Sequence, residues 1–535
     1  MTQNILTIEI NHRMFPDKEI NLAIAEKTIK DIVTALGIEA GIQVMKNEGT
    51  DDFIRINDTA CAYPDSLEKE SNDYIQALQN NKEPIDLFSD FIISNIIWLQ
   101  PHVLFSDDWL LQYMPAINST IKQHEKVKQH CREIIDELLS LKISLADKPL
   151  IADITDKYLN SEFVDWNRLR EDLIEALSGK EIGICIHETY LNEIITAKAD
   201  ENLFAMMRDG LFYENGINYP SFKIIVEKKL PDNTFCFTIN SFTSNLYTGL
   251  MPGKVLVNET TDRLLLLGIT GVAATNPANG NNAALINAAE NDKVVDAGLT
   301  TWNSLGYVIL CFSSFLRKYG YLCINQNLVS NYIKQLQLVF PVITDLIEKQ
   351  NLLPVTVKAL RLLAKDEISI RNMRVILEAI LESDYIIADG HKYIIFDERI
   401  PVFAGFEIDW KHKAENVAEF VRTKLKNYIS HKYTKGQSTL VVYLLDAVIE
   451  RLTDPALTPI ETLDNETRKK ICEAVGQEVT KLPVSSQPYV FLTTVNVRPH
   501  FKKLIELRFP HLAVLSYQEL SPVMNIQPIG RISIE

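Results

Sequence analysis

Three short stretches carry residue types that could do chemistry. GLMPGKV at 249–255 approaches a phosphate-binding loop, in which GxxxxGK followed by Ser or Thr lets backbone amides cradle phosphate while the hydroxyl holds magnesium. It is one residue short and places Val255 where the hydroxyl belongs, so it reads as a tight turn at Pro252 and Gly253 leading into a strand. HEKVKQHC at 124–131 offers His124, His130 and Cys131 as metal ligands, yet residues i and i+6 do not share a helical face. SDDWL at 106–110 sets paired carboxylates beside Trp109, an acid–base arrangement in outline. A helix N-terminus accounts for them, since its dipole favours acidic side chains and Ser106 can cap it. Neither a GxSxG elbow nor an HExxH helix occurs. The tryptophans at 98, 109, 166, 302 and 410 are dispersed, as core anchors rather than a stacking platform. The expectation is a chain that is not an enzyme, with no catalytic residue, no metal and no cofactor.

The elements that would position any site are mixed. ILTIEI (5–10), FKIIVEKKL (222–230), TFCFTINSF (234–242) and KVLVNE (254–259) are β-rich, and PDN at 231–233 reads as a hairpin turn between two of them. Leu328, Tyr332, Ile333, Leu336, Leu338, Val342, Ile343 and Leu346 recur at helical spacing, which predicts a helix over 328–349. In DEISIRNMRVILEAILE (366–382), Ser369 caps a helix whose Met373, Ile376, Leu377, Ile380 and Leu381 form one apolar stripe. NPANGNNAALINAAEN (276–291) reads as a surface loop running into a helix. The fold class is α/β in the mixed α+β sense, with several small α/β and helical subdomains.

A chain of 535 residues is expected to divide into several compact units, because single cores stop growing at roughly 250–300 residues. The net charge of −16 argues against a nucleic-acid partner, which needs a basic face. That charge is uneven. Residues 1–180 hold 31 acidic and 18 basic side chains, a net of −13, and the remainder holds 39 against 36. Seven widely spread cysteines without a CxxC pair suit buried thiols in a reducing compartment. The N-terminus has no basic n-region ahead of an apolar core, so no signal peptide is visible. FIISNIIWLQPHVLF (91–105) and LGYVILCFSSFL (305–316) fall short of the roughly 20 apolar residues a membrane span needs. A soluble, cytoplasmic protein is expected.

The chain also resembles itself. Residues 28–58 and 204–240 each read as a helix, then Gly-Ile, then strand, turn and strand. In the same order, 86–114 parallels 307–336, KISLADKPLIADI (142–154) parallels EISIRNMRVILEAI (367–380), and VDWNRLREDLIEAL (164–177) parallels IDWKHKAENVAEFV (408–421). The pattern predicts a degenerate tandem duplication, a shortened acidic copy over 1–180 and a fuller one over 181–535.

The second copy resembles the cytosolic domain of the large export-gate protein of flagellar and virulence type III secretion systems, the FHIPEP family. The resemblance runs through LMPGKVL (250–256), ISIRNMRVILEAILE (368–382), VAEFVRTKLKNYISHKY (417–433), STLVVYLLDAVIE (438–450), TTVNVRPHFKKLIELRFPHLAVLSYQELSP (493–522) and a closing strand at IQPIGRI. It implies a first and second subdomain over 181–305, a helical subdomain over 306–400 and a C-terminal α/β subdomain over 401–535. In that last part a helix with Phe501, Leu504 and Ile505 stops at Pro510, a strand follows from Val514, and the final strands complete a sheet.

Family members carry membrane-spanning helices ahead of this domain; this sequence has none, so a soluble relative of the gate is expected rather than a complete one. The resemblance implies a homo-oligomeric ring and protein partners, namely export chaperones, secreted substrates and the secretion apparatus, with peripheral association at the inner membrane. The family's cleft for chaperone–substrate complexes uses an aspartate, a phenylalanine three residues on, and a threonine in a later helix. Asp262 matches the first, Leu265 stands at the aromatic position and Leu310 falls near the threonine, so one of the three is retained. The alternative reading is a regulatory paralogue, acting outside the export gate, whose acidic first copy covers a docking surface of the second. A further alternative, an enzyme of unknown type, would build its site from dispersed His, Cys and Asp side chains.

Overall fold

ILTIEI folds as β1 (Ile5–Ile10), with Leu6, Ile8 and Ile10 fully buried and the alternate residues less so, as expected of a half-covered sheet. β1 pairs in parallel with β2 (Gly41–Lys46) across the helix Leu22–Ala35, and antiparallel with β3 (Ile54–Ile56). β4 (Thr59–Cys61) completes the order β2-β1-β3-β4. The computed structural model describes residues 5–534 except 12–14, 16–17, 48–53, 58, 79–83, 120–123, 162–163, 197–201, 389–412, 456, 458–462, 481–489 and 511. The chain forms two compact units, Met1–Cys61 with Lys69–Ile324, and Ala62–Glu68 with Asn325–Glu535.

A second sheet in the N-terminal unit repeats this plan. β5 (Glu181–Ile186) pairs in parallel with β6 (Ser221–Val226) and antiparallel with β7 (Thr234–Ile239). β8 (Phe242–Thr243) and β9 (Tyr247–Thr248) both pair with β7. The PDN turn therefore does not close a hairpin. It reverses the chain, but β6 and β7 flank β5, whose Ile182, Ile184 and Ile186 are buried. The near-continuous apolar run of EIGICI marks a central strand.

Backbone details recur with the plan. Gly37 (φ 66°) and Gly216 (φ 77°) follow the crossover helices Leu22–Ala35 and Leu203–Asn215, and Asn57 (φ 43°) and Asn240 (φ 51°) follow β3 and β7. Lys142 (φ 61°) and Glu367 (φ 56°) occupy the matched positions of KISLADK and EISIRNM. Two residues later, Ser144 accepts from the amide of Ala146 and Ser369 from that of Arg371, each at 3.3 Å. Helices then begin at Lys148 and Met373. Ser369 is thus a local turn-former rather than the helix cap expected of it. Met373, Ile376, Leu377 and Ile380 are buried as the stripe requires.

The apolar window 305–316 lies in the helix Ser304–Tyr319, which is buried nearly all round. Phe237, Phe312 and Phe315 pack on one another there, with ring centroids 4.9 and 5.3 Å apart about Phe237. Among the described residues no helix is long and apolar enough to cross a membrane.

A third, small sheet of the same unit holds β10 (Lys254–Val257), β11 (Val272–Thr275), β12 (Asn282–Asn287) and β13 (Thr301–Trp302), antiparallel in the order β11-β12-β10-β13. The Asn/Gly tract ends at a turn and enters β12, not a helix. Ala283, Ala284 and Ile286 are buried between two layers, and that burial overrides the helix propensity of alanine.

In the C-terminal unit the stripe of 328–349 is two helices, Gln326–Gln337 and Pro341–Lys349. Pro341 has no N–H to continue the first helix and instead opens the second. Leu338 and Val342, expected in the apolar stripe, face solvent at 87% and 70% exposure. The chain closes on a four-stranded parallel sheet of β14 (Thr439–Leu445), β15 (Val490–Thr493), β16 (Ala513–Ser516) and β17 (Asn525–Ile532), ordered β16-β15-β14-β17. Helix Val497–Ile505 buries Phe501 and Ile505 against it, and IQPIGRI is its edge strand, in which Pro528 lies opposite Val442 where the register with β14 shifts.

Candidate functional site

Among the described residues, the side chains of the three chemistry-bearing stretches make local turn, stacking and ion-pair contacts. In GLMPGKV the Lys254 amide donates to the Met251 carbonyl at 3.0 Å, closing a turn, and Lys254 Nζ reaches the Asn287 side chain at 2.7 Å. His130 stacks on Trp166 with centroids 4.6 Å apart, and Cys131 is fully buried, its thiol pushed up to about 12 by that burial. Ser106 makes no side-chain cap; Asp107 lies 3.3 Å from Arg132, and Trp109 is buried. Asp165 caps the helix Trp166–Leu177 through the Arg168 amide, whereas Asp409 and Trp410 lie outside the described residues. No three His, Cys, Asp or Glu side chains among the described residues are grouped to hold a metal.

One thiol pair was not legible as a pair. The register of β5 on β7 sets Cys185 directly opposite Cys236. The Cys236 thiol donates to Cys185, which outweighs burial and draws the Cys185 thiol down to about 7, while the same bond pushes Cys236 up. Only strand pairing reveals this, since the two residues are 51 positions apart in the sequence.

The cleft residues expected from Asp262, Leu265 and Leu310 are distributed over two faces of the small sheet. Helix Thr261–Leu266 is anchored by Leu264, fully buried with Val255, Val257, Ile269, Ala284, Ile286 and Val294. That anchor turns Leu265 (58% exposed), Leu266 (86%) and Leu267 (46%) outward as an apolar ridge. A second short helix, Asn291–Asp296, is anchored on the same face by Val294 and exposes Val295. Asp262 stands on the ridge helix, beside an Arg263–Glu259 ion pair of 2.8 Å. Leu310 packs on the other face with Leu256 and Ala283, against Trp302 and Tyr307. Residues 255 and 257 alternate with 256 along β10, so the sheet stands between Leu310 and the ridge.

The C-terminal unit holds a buried ionic network that no local pattern announces. Arg422 donates to Glu519 (Nε, 2.8 Å) and Asp366 (Nη1, 2.9 Å). Arg498 donates to both oxygens of Glu419 (2.6 and 2.5 Å) and to Asp366 (3.1 Å). Burial alone would raise the Asp366 carboxyl, but Arg498 and Arg422 outweigh it and hold it well below the usual carboxylate range. The network joins the turn after helix Leu353–Lys365, helix Lys413–Lys424, helix Val497–Ile505 and the turn Tyr517–Glu519. Its members come from four separate elements, which it ties together.

Known proteins align with the later part of the chain. The model of the FHIPEP family matches residues 155–525. Low calcium response locus protein D of Yersinia pestis is 24% identical over 353 residues, 64% of this chain and 46% of its own length. Invasion protein InvA of Salmonella typhimurium is 22% identical over 330 residues, 61% of this chain and 44% of its own. The chain thus spans about half the length of the curated relatives it matches. Among solved structures, the CdsV protein of Chlamydia pneumoniae is similar with a TM-score of 0.54 at 27% identity, covering 66% of this chain and 98% of CdsV. The structure of CdsV with CdsO is similar at the same TM-score and 26% identity, covering 67% and 98%.

Proposed function

The chain belongs to the FHIPEP family, and from that premise we propose that it is a non-enzymatic docking subunit related to the type III secretion export gate. It holds export chaperones, secreted substrates or apparatus proteins by binding energy alone, in the cytoplasm or at the periphery of an inner-membrane complex. The observation that carries this reading is the ridge Leu265–Leu267, three apolar side chains held outward by one buried anchor. Fully burying a leucine contributes about 1.5–3 kcal/mol, so a ridge of this kind is suited to gripping another polypeptide. CdsV is known in complex with CdsO, which supports an apparatus protein as one partner.

Calorimetric titration with a chaperone–substrate complex of the same bacterium tests the ridge. Leu266→Asp is expected to weaken binding about tenfold, near 1.4 kcal/mol. Its unfolding temperature should not move, because the side chain is 86% exposed. Unchanged affinity in a folded variant would remove the ridge from the docking surface.

We also propose that copies of the chain associate, the ring implied by family resemblance. Support comes from the corner between helices Gln326–Gln337 and Pro341–Lys349, where Leu338, Val339, Val342 and Leu346 are exposed at 87, 68, 70 and 39%. In sedimentation velocity, the chain is expected to grow in apparent mass with concentration, and the double variant Leu338→Glu, Val339→Glu to stay monomeric over the same range. A parent chain that never self-associates would end this part of the reading.

The duplication is proposed on the same footing, with 1–180 as the shortened acidic copy. It is supported by the repeated strand plan, the three pairs of left-handed residues and the matched serine turns. The alternative role, an autoinhibited paralogue, draws support from the seating of Asp65 on Arg508.

A further inference from the structure

Seven residues from the early sequence, Ala62–Glu68, fold as part of the C-terminal unit, although the chain before Cys61 and after Lys69 belongs to the other. They read Ala-Tyr-Pro-Asp-Ser-Leu-Glu. The Asp65 carboxylate accepts from Arg508 Nε at 2.8 Å and Nη2 at 3.1 Å, a two-pronged pairing with directional as well as charge specificity. The Asp65 amide donates to the Arg508 carbonyl at 3.1 Å, so side chain and main chain of one residue are both engaged. Pro64 and Leu67 are buried on either side of it.

The receiving surface is shaped for this segment. Helix Asn465–Thr480 carries Gly476 under the carboxylate, and a Cβ there would stand 3.3 Å from Asp65 Oδ2 and 3.4 Å from the Phe509 ring. Glycine weakens a helix interior relative to alanine, so its place here marks a close approach. The Arg508 guanidinium lies 5.7 Å from the Phe509 ring centroid, which helps hold the fork in place. Cation, glycine floor and aromatic wall together make a notch for an acidic turn with apolar neighbours, closed by the Leu67 amide on the Pro64 carbonyl at 3.0 Å.

We propose that the notch of Gly476, Arg508 and Phe509 is a peptide-docking site for a Pro-Asp-x-Leu segment, and that residues 62–68 occupy it in cis as a plug. A tethered segment acts at an effective concentration on the order of millimolar, so an external peptide of the same sequence competes at a disadvantage. Releasing the plug then exposes a site of defined specificity.

The test uses the full chain and a fluorescein-labelled peptide of residues 62–70, read by fluorescence anisotropy. In Asp65→Lys the plug is repelled by Arg508, and the peptide is expected to bind at least tenfold more tightly than to the parent. Adding Arg508→Gln should weaken that binding at least tenfold, because the notch loses the cation that pairs with a carboxylate. Equal affinity for the parent and Asp65→Lys overturns occupancy in cis. No binding to a folded Asp65→Lys chain overturns the site itself. Should Asp65→Lys fail to fold, Asp65→Asn releases the fork without charge reversal and answers the same two questions.

Discussion

Arg498→Met is expected to lower the stability of the C-terminal unit by about 3–5 kcal/mol, the usual cost of stripping one partner from a buried ion cluster. The side chain is 6% exposed and faces Glu419 and Asp366, with Glu519 at 3.6 Å and itself fully buried. Methionine fills much of the volume but strips Glu419 of its two-pronged partner and Asp366 of one of its two arginines, and buried unpaired charge is far costlier than lost packing. Calorimetric unfolding of parent and variant measures the difference; a loss under about 1 kcal/mol would mean the network is solvated and weak, as exposed pairs are.

The same network sets an acid limit. The folded Asp366 carboxyl lies below its unfolded value, so its contribution is complete above about pH 4 and fades as pH falls below that value toward the depressed folded one. Urea unfolding between pH 3 and 7 should show this slope, and Asp366→Asn should flatten it while lowering stability at neutral pH.

Gly37→Ala is the second large effect, expected at about 2–4 kcal/mol from a left-handed backbone combined with overpacking. The position has φ 66°, and a Cβ there would stand 2.2 Å from the backbone nitrogen of Ala146 and 2.6 Å from its Cα. Backbone cannot swing aside as a side-chain tip can, and the Leu145 amide bonds the Leu36 carbonyl at 2.8 Å, clamping the two segments together. Gly210 provides the contrast. It lies inside helix Leu203–Asn215 with nothing within 4 Å of an added Cβ, so Gly210→Ala should leave stability unchanged or raise it by about 0.5–1 kcal/mol. If both alanines behave alike, close approach at Gly37 is not what that glycine serves.

Much of the fold could be read from spacing. ILTIEI alternates and forms a half-buried strand; Met373, Ile376, Leu377 and Ile380 recur at helical intervals and line a core. Pro252 and Gly253 marked a turn, and the closing IQPIGRI completes the terminal sheet as expected. The ordered motifs of the second half sufficed to indicate the FHIPEP family. The strand, the stripe and the turn each depend on neighbours within a few residues, where the chain's own geometry sets which side chains share a face.

What the tertiary structure decided lies across long sequence separations. β5 came between β6 and β7, so a turn that looked like a hairpin was a crossover. Leu310 and the Asp262 helix fell on opposite faces of one small sheet, and Leu338 and Val342 face solvent at the corner where Pro341 opens a second helix. Asp366 met Arg422 and Arg498, 56 and 132 residues away, and Asp65 met Arg508 across 443. Local periodicity states that a side chain is buried or exposed; it does not name the partner, because pairing depends on which surfaces meet after the loops have closed.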